Sequence, residues 1–199
     1  MATKSPRYAL SNPLSVLLDK PAADFTRADL LKVVEAKGLE RITFHYLAID
    51  GKLKELTVPA ADRYHLEAVL AEGERVDGSS LFKGMVDMAL SDLYVVPQYR
   101  SAFLNPFDEG SLDFVCRYLA QDGSPAPFTP DSVLARAAAL FRKTTGLQLN
   151  ALGELEFFLL TNPADRSYPV EAHRGYHGSA PFTKCGPILH EMVAHIARV

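Results

Sequence analysis

Tryptophan is absent, and cysteine occurs twice in 199 residues, as Cys116 and Cys185, far apart and without a Cys-x-x-Cys pair. That scarcity excludes a disulfide framework and a cysteine-based zinc site, and a reducing cytoplasm is the compartment it predicts. Long apolar runs are missing too. The stretch from Leu14 to Leu18 is too short, and too close to Pro13 and Asp19, to be a signal-peptide core. Nothing else approaches the roughly 20 apolar residues that a membrane-spanning helix needs. Basic clusters interleaved with aromatics are also lacking, and a formal net charge of −3 offers no surface suited to a polyanion. Neither nucleic acid nor membrane is therefore expected as a partner. What the chain does have is 48% hydrophobic residues, ample for a packed core in one large or two small domains.

Punctuation residues divide the chain into segments 1–25, 26–123 and 124–199. The first, with Pro6, Pro13 and Pro21, reads as a tail with a short helical piece around LSVLL. Thr26 and Asp29 stand at capping-box spacing and open an amphipathic helix through Leu30, Leu31 and Val34 that stops at Gly38. RITFHYLAI and KLKELTV flank Asp50-Gly51 and read as a hairpin. A short helix around DRYHLEAVL follows, then strands at LYVV, SAFLN and LDFVCRYL. The expected first domain is a small mixed sheet with a helix across it. GSPAPF reads as a linker. Thr129 as N-cap and Pro130 then open a helix whose Leu134, Ala137, Leu140 and Phe141 form a stripe expected to be core, ended by Gly146. LQLNALGELEFFLL is expected to be one long strand, residues 161–186 a loop, and the segment from Pro187 a last helix that runs to the terminus without a stop signal.

Within that long strand, GELEFFLL carries two acids in an otherwise apolar run. Alternation puts Glu154 and Glu156 on one face, about 6.6 Å apart along the strand. Like charges that close need a compensating cation if the face is buried, and a metal ion is the simplest one. The other reading is an edge strand whose polar face is wet. Other candidates are weaker. HEMVAH spaces His190 and His195 by five residues, about 140° apart on a helix, so they read as surface histidines and not as a shared zinc pair. His173 and His177 flank Gly175 in a loop, where they could bind a metal together or stand exposed. Asp-Gly-Ser-Ser at 77–80 is, alone, common turn chemistry.

Taken together, VDGSS at 76–80, SD at 91–92, NPF at 105–107, TPDSV at the helix start and GELEFF at 153–158 resemble glutamine synthetases in order and separation. The resemblance spans most of residues 14–199. It implies an α+β fold: a β-grasp-like domain over 26–123 carrying the DGSS loop, then the first helix and strand of a catalytic domain, incomplete over 124–199. It further implies that Glu154 and Glu156 each hold a different one of two divalent cations, Mg²⁺ or Mn²⁺. Asp77 would reach into the neighbouring subunit's site of a ring-shaped homo-oligomer, helping to bind ammonium and take its proton. Val76 stands where the family often has an aromatic residue, and LFKGM follows Ser80 in place of a Gly-Gly-Trp.

The implied reaction is ATP-dependent ligation of ammonia to glutamate through γ-glutamyl phosphate. Its residue types suit that chemistry. Carboxylate oxygens suit hard cations that offset phosphoryl charge, and an anionic Asp77 could both attract ammonium and accept its proton. The nucleotide site and further ligands of the family are not found in this sequence, so the chain alone is expected to be inactive. Two alternatives stay open: a ligase of the same fold joining glutamate to a different amine, and a short non-catalytic protein used for oligomer contact or regulation.

Overall fold

The computed structural model describes residues 12–86, 91–159, 178–179 and 185–199. A short helix α1 (Pro13–Leu18) is capped by Asn12, whose side-chain oxygen accepts from the amides of Leu14 and Ser15. Helix α2 (Arg27–Lys37) begins with the capping box expected of Thr26 and Asp29 and ends at Gly38 in the left-handed conformation. Strands β1 (Arg41–Leu47) and β2 (Leu53–Pro59) form the antiparallel hairpin around Asp50-Gly51. Helix α3 (Arg63–Glu72) leads to β3 (Glu74–Asp77), the one-turn helix α4 (Gly78–Leu81) and β4 (Asp92–Pro97). A two-residue β5 (Phe103–Leu104) precedes the long β6 (Ser111–Leu119), followed by α5 (Pro130–Thr145) and α6 (Gly186–Ile196).

The sheet runs β2-β1-β6-β4-β3, with β5 also paired to β6. Among the described residues the one parallel pair, β1 with β6, joins segments some 70 positions apart, while β2, β3, β4 and β5 all pair antiparallel. Alternation then sorts the side chains. Ile42, Phe44 and Tyr46 of β1 and Leu112, Phe114, Cys116 and Tyr118 of β6 are buried in one core with Leu30, Leu31 and Val34 of α2 and Leu66, Val69 and Leu70 of α3. The aromatic rings meet edge to face, Phe44 with Phe114 at 6.2 Å and Tyr46 with Tyr118 at 5.9 Å between centroids. Burial pushes the Cys116 thiol upward, so it stays protonated and behaves as a small apolar side chain.

The α2 cap couples to pH. Asp29 accepts from the Lys20 ammonium at 2.7 Å and from the Thr26 hydroxyl and amide, and these bonds hold its carboxyl well below the usual carboxylate range. A carboxyl depressed by folding stabilises fully above its unfolded pKa of about 3.9 and loses that contribution as pH falls toward the folded value. Thr26→Ala is expected to cost about 1 kcal/mol at neutral pH, read as a shift in the urea midpoint. The deficit should shrink in acid below about pH 3, where the Asp29 partnership itself is being lost.

Several expectations change in three dimensions. GSPAPF is not a free linker. Leu119 bridges Pro125, the Ala126 amide bonds the Tyr118 carbonyl, Ala126 and Thr129 are wholly buried, and Phe128 packs its ring on Phe82. Thr129 occupies the N-cap position of α5, yet its hydroxyl donates to the Ala126 carbonyl and caps nothing. Asp131 instead ties the helix down, accepting from the Tyr118 amide at 3.1 Å. The stripe on α5 is not core: Leu134 is 63% and Leu140 64% exposed. Residues 147–159 contain no strand, because a strand requires a neighbouring ladder and none is formed there among the described residues. His173 and His177, and most of the loop expected over 161–186, lie outside the described residues.

Candidate functional site

Asp77 ends β3, where its Cα pairs with that of Asp92, and its side chain projects from the sheet edge into the start of α4. Gly78 fits there because it has no side chain. A Cβ at this position would lie 2.5 Å from the Ser91 carbonyl oxygen, to which the Gly78 amide donates at 2.8 Å. That contact fixes the turn direction. The Asp77 carboxylate then accepts from the Ser79 amide at 2.9 Å, the Ser79 hydroxyl at 2.7 Å and the Ser80 hydroxyl at 2.5 Å.

The Ser80 and Ser79 bonds hold the Asp77 carboxyl down to about 2, so the group is an anion throughout the physiological range. It remains exposed to solvent. Arg75 does not neutralise it, since its guanidinium pairs with Asp92 at 3.0 Å. The result is a fixed, outward-facing negative charge at the end of β3, where the chain leaves the sheet into α4. Such a group can attract a cation. Taking a proton from one would require the serine bonds to loosen, because they stabilise the charged form.

The sheet topology and this loop match a known domain: residues 38–121 match the family model described as glutamine synthetase, beta-Grasp domain. This chain carries the β-grasp domain of the glutamine synthetase family. It is 27% identical over 170 residues to the glutamine synthetase of Halobacterium salinarum, covering 82% of this chain and 36% of that protein. It is 30% identical over 136 residues to the 3-hydroxylaminophenol mutase of Cupriavidus pinatubonensis, covering 66% of this chain and 28% of that protein. A glutamine synthetase structure from Plasmodium falciparum superposes with a TM-score of 0.51 at 15% identity, over 60% of this chain and 23% of that one, a likeness of fold. The chain thus spans about a third of the length of these curated relatives.

The two acids expected to hold metal are not organised as a pair. Glu154 and Glu156 are both exposed in the irregular stretch 147–159, so the one-face alternation argued for a strand is not realised there. Their carboxylate oxygens suit a hard divalent cation. Two exposed carboxylates do not make a site, and no cluster of three or more His, Cys, Asp or Glu able to hold a metal occurs among the described residues. As described, these residues do not yet fit a divalent metal, and no chemical step is derived through one. His190 is exposed on α6, and His195 lies 3.8 Å from Glu191 at the i, i+4 spacing of an ordinary helix pair.

A second polar constellation escaped the sequence reading. On the sheet face opposite the core, Asp113 is completely buried and accepts from the Ser111 hydroxyl at 2.5 Å and the Asn105 amide at 2.8 Å. His45 Nε2 lies 2.7 Å from the same carboxylate. The Ser111 hydroxyl continues the chain to Thr43 and on to Thr57. A signal for it existed: Thr43 and His45, like Ser111 and Asp113, occupy alternate positions out of phase with the apolar core residues. Only the parallel register of β1 on β6, which sets Thr43 beside Asp113, brings the two sets together.

Proposed function

We propose that the protein is a glutamine synthetase-type ligase, joining ammonia to glutamate at the expense of ATP through γ-glutamyl phosphate. The described residues supply its β-grasp domain and the opening helix of its catalytic domain. The observation that carries this reading is the Asp77 carboxylate, anionic and exposed on a rigid two-serine cradle within the matched domain. In this role Asp77 attracts ammonium beside the acyl phosphate of a neighbouring subunit in a ring-shaped homo-oligomer, and accepts a proton as the serine bonds give way. Glu154 and Glu156 contribute one ligand each to two sites for Mg²⁺ or Mn²⁺, once their segment is paired as a strand and other ligands complete each set.

The 30% identity to a relative named as a mutase supports keeping a second reading, a glutamate–amine ligase of the same fold, since similarity at this level does not fix the reaction. The experiment is ATP- and metal-dependent product formation by the protein at its full encoded length, with glutamate and a panel of amines that includes ammonia. Glutamine as the main product supports the first reading, a preferred alkylamine supports the second, and no amide product with any amine overturns both. Residues 1–199 expressed alone are expected to give no measurable glutamine in the same assay, because two carboxylates cannot complete two metal sites. Turnover by that chain would refute the assignment of the remaining ligands to other segments.

A further inference from the structure

A cavity of about 530 Å³ lies between the outer face of the sheet and α6, bounded by His45, Asp113 and Phe103 on one side and Ile188, Met192 and His195 on the other. It stands on β1, β5 and β6, whereas Asp77 lies on β3 at the far edge of the strand order. Its size is in the range that holds small organic ligands, roughly 300–1,000 Å³, with apolar walls and a few convergent polar groups. The carboxylates of the lining are acceptors, and the Asn105 amide already donates to one of them. Asp113 is fully buried and uses three of its roughly four lone-pair positions on Ser111, Asn105 and His45, leaving one open. With its Nε2–H donating to that carboxylate, His45 keeps a lone pair on Nδ1 while its ring stacks on Phe103 at 5.9 Å.

Across the cavity, His195 Nδ1 is buried with no hydrogen-bond partner among the described residues, and Glu191 adds a second carboxylate to the lining. A buried nitrogen left without a partner costs free energy unless something bound there satisfies it. No Lys or Arg is among the described residues that line the space, so nothing there offsets the two carboxylates permanently. The walls are otherwise aromatic and aliphatic, with the Phe107 ring 4.4 Å from that of His195.

We propose that this cavity is a binding site for a small protonated amine carried on an aromatic or compact apolar group. The ammonium is held by the negative charge of Asp113 and Glu191 and donates to acceptors of the wall it rests against, and the apolar group sits between the phenylalanines and α6. Charge decides the class: a carboxylate ligand would meet Asp113 and Glu191 as like charges, and a neutral alcohol would have one donor for several acceptors. The proposal does not depend on the ligase reading.

The test uses benzylamine, benzyl alcohol and benzoate, three probes of one shape and different charge, titrated into the 199-residue chain by calorimetry and by NMR. Benzylamine is expected to bind saturably and at least about tenfold more tightly than either of the others. Met192→Trp, on a half-exposed helix face, fills the space and should abolish binding, and Glu191→Gln should weaken it severalfold. Both positions lie on α6, so the folded sheet can be confirmed in each variant from its own NMR spectrum. Equal affinity for the three probes, no saturable binding of benzylamine, or benzylamine binding unchanged by Met192→Trp in a folded protein would each overturn the proposal.

Discussion

Gly73→Ala is expected to remove most of the domain's stability, more than about 4 kcal/mol, although it adds a single methyl group. Gly73 closes α3 with a φ of +72° and ψ of −158°, a region only glycine enters without strain. A Cβ there would also lie 2.1 Å from the Val95 carbonyl oxygen and 2.9 Å from the Val96 Cα. Both belong to the backbone of β4, which is held between β3 and β6 and cannot retreat without breaking a ladder. Gly51 provides the control. Its φ of +76° is also left-handed, but no atom lies within 4 Å of a built Cβ, so Gly51→Ala should cost only about 1 kcal/mol. Urea midpoints for the two variants separate strain from collision. Similar losses at the two positions would show that the approach to Val95 does not govern the effect.

Asp77→Asn in the protein at its full encoded length is expected to lower turnover by about 10²- to 10⁴-fold while leaving the fold intact. Asparagine keeps an oxygen that can accept from the Ser79 amide, so the turn persists and only the charge is lost. Glu156→Ala should separately impair activation by divalent cations. If Asp77 serves a neighbouring subunit, mixing these two inactive variants will pair some intact Asp77 loops with intact Glu156 segments and restore part of the activity. Rescue after subunit exchange is the measurement that matters. Its absence, with mixing proven by differential labelling, would return Asp77 to the role of a turn residue within its own chain.

Local chemistry in the sequence accounts for much of the architecture. Thr26 with Asp29, Asp50-Gly51 and Gly38 each act within a few residues, so capping box, hairpin and helix stop are legible without knowing what surrounds them. The order of DGSS, SD and NPF likewise pointed to the family before any contact was known, and residues 38–121 match its β-grasp domain. Where a feature depends on a distant partner, local rules fail in characteristic ways. GSPAPF has a linker's composition but is stitched to β6, since the bonds that hold it come from Leu119 and Tyr118. ERVD is too polar to announce a strand and becomes one because β4 offers its edge.

The same distinction governs the candidate sites. The sequence by itself determined which groups could do chemistry: Asp77 beside two serines, and Glu154 and Glu156 one residue apart. It also determined the apolar alternation that makes a mixed sheet packed on helices the lowest-energy arrangement. Tertiary structure alone decided the electrostatic state of Asp77, because the Ser80 and Ser79 bonds depend on the direction in which Gly78 turns the chain under Ser91. It alone assembled His45, Asp113 and Asn105, whose meeting requires β1 to lie parallel to β6 across about 70 intervening residues. It also left Leu134 and Leu140 exposed, because periodicity specifies a helix's apolar face while burial requires a second surface to meet it.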